Sequence, residues 1–189
     1  AYPALRLYLR EAQSASLLQQ LADGGLDVVL LALPYNVGKV ETYEFADDPF
    51  LAVFPRGHDL GQFETMTPAR IDGDSLLSLE SGNCLTDQVL AMGKLAQGAP
   101  TNGFHATSLH TLVQMVANGL GVTVLPKMAV DSGILRGLNL DFRPFSSARA
   151  SRRIALVWRK MSQRGDEFRL LGECLRDELG TPARRQNRA

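Results

Sequence analysis

Six apolar residues in a row, Val28-Val-Leu-Leu-Ala-Leu33, stand between Gly24-Gly25 and Pro34. So short and so uniformly apolar a run, bounded by breakers, reads as a strand covered on both faces and therefore as part of a sheet with helices packed against it. The residues before it supply the rest of a unit. Leu5, Leu7 and Leu9 alternate with Arg6, Tyr8 and Arg10, the period of a half-buried strand. Leu17, Leu18 and Leu21 then mark a helical stripe that Ser14 or Ser16 can cap and Gly24-Gly25 can end. Strand, helix and apolar strand in that order predict a βαβ unit, hence a parallel sheet with a right-handed crossover.

Downstream, short strands expected at 40–45 and 50–54 flank Asp47-Asp48-Pro49, a turn-like break and a candidate hinge. Further strands are expected at 76–79, near Phe104, at 122–125 before Pro126, at 138–142 and at 153–158. One helix should run from Cys84 to about Ala96. The clearest lies over 107–119, with Leu109, Leu112, Val113 and Val116 on one face, Thr107 or Ser108 as cap and Gly119 at its end. A last helix carries Phe168, Leu171, Leu175 and Leu179, and 180–189 read as a frayed basic tail. The pattern makes two α/β halves. Strand-to-helix junctions at Ser14, at Cys84 and at Thr107-Ser108 belong at the carboxyl ends of strands, where ligands bind. Two facing lobes would gather them around a cleft rich in N–H donors, suited to a small polar or anionic ligand.

Composition narrows the function classes. At 189 residues and 45% hydrophobic content, the chain can bury a core as one domain or two small lobes. No apolar run approaches the roughly 18 residues of a membrane span. The chain opens on Ala1-Tyr-Pro-Ala, with neither an initiator Met nor a signal-peptide core. Lys and Arg number 20 against 20 Asp and Glu, with no basic stripe, which argues against nucleic-acid binding by this segment alone. The two cysteines, Cys84 and Cys174, are too few for a disulfide framework and lack zinc-site spacing, so a reducing compartment is expected. His58, His105 and His110 form no metal-ligand spacing, and no cofactor is expected.

Glu80-Ser-Gly-Asn-Cys-Leu-Thr-Asp-Gln88 sets a cysteine at an expected helix start. Unpaired N–H groups and the helix dipole favour negative charge there, which makes Cys84 a candidate reactive thiol; its thiolate is the form that peroxides attack. Packing as a small hydrophobe is the competing reading for Cys84, and the favoured one for Cys174. Ser14 and Ser108 read equally as helix caps, and Asp87 and Arg159 as surface ions.

Taken together, several segments resemble the effector-binding domain of LysR-type transcriptional regulators, and among these the hydrogen-peroxide sensors. The carriers are Glu11-Ala-Gln-Ser14, Gly25-Leu-Asp-Val-Val-Leu-Leu-Ala-Leu33, Asn83-Cys-Leu-Thr-Asp-Gln88, Ala106-Thr-Ser-Leu109 with Gly121-Val-Thr-Val-Leu-Pro126, and Arg153-Ile-Ala-Leu-Val-Trp-Arg159. The resemblance implies two Rossmann-like subdomains joined by two crossover strands, a periplasmic-binding-protein-like α/β fold. Subdomain I would comprise 1–48 and 158–182, subdomain II 49–157, and the tail 183–189, with crossings near Pro49 and Trp158. The family's first effector-domain strand and helix, and its DNA-binding winged helix-turn-helix, would precede Ala1.

By the same resemblance, Cys84 is the peroxide-reactive cysteine, Asp87 a polar neighbour, Ser14 a pocket hydroxyl and Arg159 the cation that favours the thiolate. Asn83, Thr107 and Ser108 complete the pocket. Asn83 stands where the family has histidine, and Gly93-Lys94-Leu95 where its best-known members have a second cysteine. Sulfenic acid or a mixed disulfide is then the expected oxidised state, Cys174 belonging to the opposite lobe. The implied whole is a cytoplasmic, non-enzymatic regulator. It would be a homodimer or tetramer through the helix after Ser14 and the last helix, with DNA bound only by the missing domain, RNA polymerase as a partner and no membrane contact. Three rivals stand beside it: a regulator that binds a small organic anion with Cys84 inert, a transport-type solute-binding protein, and a thiol peroxidase.

Overall fold

A computed structural model describes residues 5–80, 82–92 and 105–180. The architecture is α/β, in two lobes joined by two long strands. Strand β1 (Val29–Leu33) follows helix α1 (Ser14–Ala22), and β2 (Val40–Pro55) then runs unbroken for 16 residues. In the second lobe come β3 (Ser78–Leu79), α2 (Cys84–Ala91), β4 (His105–Ala106), α3 (Leu109–Ala117), β5 (Thr123–Pro126), α4 (Lys127–Asp131) and β6 (Leu140–Pro144). The chain returns on β7 (Ser151–Arg159) and closes on α5 (Gly165–Gly180).

The strand register shows where the lobes meet. From Val40 to Pro49, β2 pairs antiparallel with β7; from Phe50 onward it pairs with β5 on one side, and from Leu51 with β6 on the other. Partners change at Pro49, so the predicted hinge marks the crossing but is extended strand rather than a turn. Two features reconcile Asp47-Asp48-Pro49 with a strand. Proline lacks an N–H where the ladder changes partner, and Asp48, 0% exposed, has its charge satisfied. Its Oδ2 accepts from Arg152 Nε at 2.9 Å, and its Oδ1 from the backbone N–H of Met128 at 2.8 Å.

The second crossing differs from the expected one. Ser151 is already opposite Pro49, and residues 153–157 pair with β1 from Leu33 back to Val29. The return therefore falls at Ala150–Ser151 rather than at Trp158, and 151–157 lie in the first lobe's sheet. Two apolar clusters cover the faces of that sheet: Leu21, Leu31 and Val157 under α1, and Ala32, Leu156, Trp158 and Phe168 under α5. The second lobe has a larger core of its own, built on Phe50, Val53, Leu112, Val116 and Leu125.

Three other expectations need correction. Residues 5–10 form no strand: no partner strand lies beside them among the described residues, and Leu9 is 91% exposed. The apolar run at 28–33 gives β1, but its partner is β7, antiparallel, and Leu30 is 54% exposed, so the strand is an edge rather than a covered parallel one. Neither Ser14 nor Ser16 caps α1; Gln13 takes the cap position and makes no side-chain cap bond. By contrast α3 follows its sequence. Ser108 Oγ accepts from Thr111 N at 3.2 Å, and Gly119 closes the helix at φ +77°, a conformation that glycine adopts without steric cost. The tail at 183–189, Gly93-Lys94-Leu95, Ala96 and Phe104 lie outside the described residues.

Removing the Asp48 carboxylate leaves a half-buried guanidinium and a helix N–H without their acceptor. Asp48→Ala should therefore cost about 3–5 kcal/mol of unfolding free energy, measured by urea titration. A loss below about 1 kcal/mol, the range of an exposed ion pair, would show that Asp48 does not hold the crossing.

Candidate functional site

Strands β3 and β4 are parallel neighbours, Ser78 opposite His105 and Leu79 opposite Ala106. Both leave at their carboxyl ends into helices, and Glu80 N donates to Ala106 O at 3.1 Å just beyond the pairing. The starts of α2 and α3 are thereby set side by side. Gly82, at φ +87°, allows the tight turn in which Asn83 N bonds back to Glu80 O. Asn83 is extended and caps α2, its Oδ1 accepting from Leu85 N at 3.0 Å.

Cys84 is the first residue of α2 and is half-buried. The turn that carries it is held from several directions. Leu85 and Val89 enter the second lobe's core, and Thr86 Oγ1 donates to Leu79 O at 3.1 Å. Asp87 is exposed in the same first turn, where a carboxylate favours the helix but adds no positive charge beside the sulfur. Thr107 and Ser108, at the adjoining helix start, are exposed; Ser108 also shares a hydrogen bond with Thr111 Oγ1 at 3.1 Å. Asn83, Cys84, Asp87, Thr107 and Ser108 thus occupy one corner of the second lobe.

The link to the first lobe comes from a residue that sequence reasoning missed. Gln88, 6% exposed, reaches from α2 to the end of β1, its Nε2 donating to Ala32 O at 2.9 Å and Pro34 O at 3.3 Å. Its Oε1 is the buried side-chain oxygen without a hydrogen-bond partner among the described residues. Such an orphan costs about 1–3 kcal/mol. A glutamine between buried Leu85 and Val89 was the available signal, since a polar side chain inside an apolar stripe needs a partner. Ser14 lies in the first lobe, half-buried at the start of α1, whose first turns border residues 35–38 just after β1.

Arg159 does not join this group. Its Nη1 donates to Leu21 O and, at 2.7 Å, to Leu26 O, closing the far end of α1. Arg153 pairs with Leu33, the end of β1 that α2 reaches, and Arg159 is six residues further along β7. At about 3.3 Å per residue that is roughly 20 Å away. The cations at the near end are Arg152, bound to Asp48, and Arg153, whose Nη1 is 3.0 Å from Glu44 Oε2. A buried aspartate in an apolar strand was the sign that a cation had to be close. Among the described residues no three His, Cys, Asp or Glu side chains group as a metal site, and no helix is long and apolar enough to cross a membrane.

Losing the Asn83 cap should destabilise the cysteine helix. Asn83→Ala is expected to cost about 0.5–2 kcal/mol and Asn83→Asp a few tenths at most, read from urea midpoints; equal midpoints for Asn83→Ala and the parent would refute the capping role.

The LysR substrate binding domain model matches residues 1–180. A probable hydrogen peroxide-inducible genes activator of Streptomyces viridosporus is 40% identical over 182 residues, which span 94% of this chain and 57% of that protein. The DNA-binding transcriptional dual regulator OxyR of Escherichia coli K12 is 36% identical over 178 residues, covering 94% and 58%. The reduced regulatory domain of OxyR2 from Vibrio vulnificus superposes with a TM-score of 0.84 at 40% identity, over 93% of this chain and 83% of that one. The chain spans a little over half the length of the curated relatives it matches. With its two lobes, its two crossing strands and this extent of match, the chain belongs to the LysR substrate-binding domain family.

Proposed function

We propose that this domain is the sensing part of a transcriptional regulator that responds to hydrogen peroxide through Cys84. The observation that carries the reading is the placement of Cys84 as the first residue of α2, half-buried, beside the start of α3. Helix starts present N–H groups and the positive end of a dipole, the surroundings in which a cysteine sulfur reacts as thiolate. The relatives named for peroxide-inducible genes lend it support.

The chemistry balances without a metal. The Cys84 thiolate attacks one peroxide oxygen, an S–O bond forms as the O–O bond breaks, and the departing hydroxide takes a proton to become water. The sulfenic acid can then condense with a thiol, forming S–S and releasing water. The sequence holds only Cys84 and Cys174. Because Cys174 is on α5, packed on the first lobe's sheet, the thiol comes from outside this segment. Ser14, Asn83, Asp87, Thr107 and Ser108 are the polar groups around this chemistry. The lobes correspond to 1–48 with the returning strand and last helix, and to the segment between the crossings.

In the whole protein the domain signals, without turnover, to a DNA-binding segment outside this chain. Pairing through α1 and α5 gives a homodimer or tetramer, the setting is the cytoplasm, and RNA polymerase is the partner at promoters. A second reading has a specific observation behind it: the adjoining starts of α2 and α3 also suit a small organic anion, with Cys84 inert.

Intact mass after stoichiometric hydrogen peroxide, with sulfenic-acid trapping, should show one oxidation event that maps to Cys84 and vanishes in Cys84→Ser. An accessible, reduced Cys84 that stays unmodified would overturn the peroxide reading and leave the anion-binding one.

A further inference from the structure

We infer that Gln88 is the latch that holds the cysteine helix to the first lobe, a positioning residue through which a change at Cys84 reaches β1. The inference rests on the peroxide reading above. On a helix, residues four apart lie on the same stripe about one turn apart, so Gln88 stands directly above Cys84. Long side chains lean toward the helix N-terminus, which brings the carboxamide back over the turn that carries the sulfur.

Three observations set Gln88 apart from ordinary packing. The first is where it binds. Ala32 and Pro34 bracket the end of β1, and Gln88 takes both of their carbonyls with one nitrogen. The second is division of labour: Leu85 and Val89, on the adjoining stripe, fill the second lobe's core, leaving the Gln88 stripe for the first lobe. The third is Oε1, which has no hydrogen-bond partner among the described residues. A carboxamide with its nitrogen fully engaged and its oxygen buried and unbonded is held, but not at its best. Oxygen or a thiol added to Cys84 enlarges the group beneath it and displaces the carboxamide. The carbonyls of Ala32 and Pro34 are then released together, at the end of the strand on which α1 packs.

Hydrogen exchange on the full chain, reduced and after stoichiometric peroxide, tests this, with oxidation of Cys84 followed by intact mass in the same samples. In reduced Gln88→Met the amides of α2 should exchange at least about ten-fold faster than in the parent, with α3 within about two-fold. Peroxide should bring the parent to that pattern and add less than about two-fold to the variant. Gln88→Glu keeps the size and loses the donor, and should behave as Gln88→Met does. Unchanged α2 exchange in either folded variant, or acceleration spread equally through α3 and β5, overturns the latch. A parent Cys84 that peroxide leaves unmodified counts against the peroxide reading, while the reduced-state comparison still decides the latch.

Discussion

A carboxylate with no exposed surface sits where the chain passes between lobes, and much of the architecture depends on how it is satisfied. Asp48 binds Arg152 of the returning strand and the start of α4, so one side chain fixes both crossing strands and the first element of the second lobe beyond β5. Burial makes the arrangement all-or-none, because neither charge is comfortable without the other. Asp48 and Arg152 are 104 positions apart, and their meeting places β7 between β1 and β2. Every lobe-to-lobe relation described above, including the approach of α2 to β1, is set by that fixed crossing.

Within this frame the site is built from ordinary local parts. Parallel pairing of β3 with β4 aligns two strand ends, a left-handed glycine turns the chain, and asparagine and serine caps start two helices side by side. Cys84 is reactive or inert according to what that corner does to its sulfur, and the geometry supplies helix-start N–H groups rather than an adjacent arginine. The anticipated cation, Arg159, instead closes α1 from the other end of β7.

Local signals are legible in the sequence, and signals that depend on distant partners are not. The cap and stop of α3, the start of α2 at Cys84 and the crossing near Pro49 all follow from neighbouring residues. Leu5, Leu7 and Leu9 have strand alternation, yet alternation makes a strand only when an edge is there to receive it, and none is described beside them. The break at Asp47-Asp48-Pro49 vanished because a charge paired 104 positions away no longer resists burial. Helix α4, of five residues, owes its start to the same aspartate and left no periodic trace. Position in a motif points to Arg159; only the register of β7 against β1 reveals which arginines stand at the near end.

The central claim is that the start of α2 activates Cys84 toward peroxide, and the rate of that reaction is its most direct measure. Rapid-mixing kinetics under excess peroxide should give a second-order rate constant at least about a hundred-fold above that of free cysteine at the same pH, on the scale of known activated thiols. A rate equal to that of free cysteine, for a sulfur shown to be accessible, would contradict the claim.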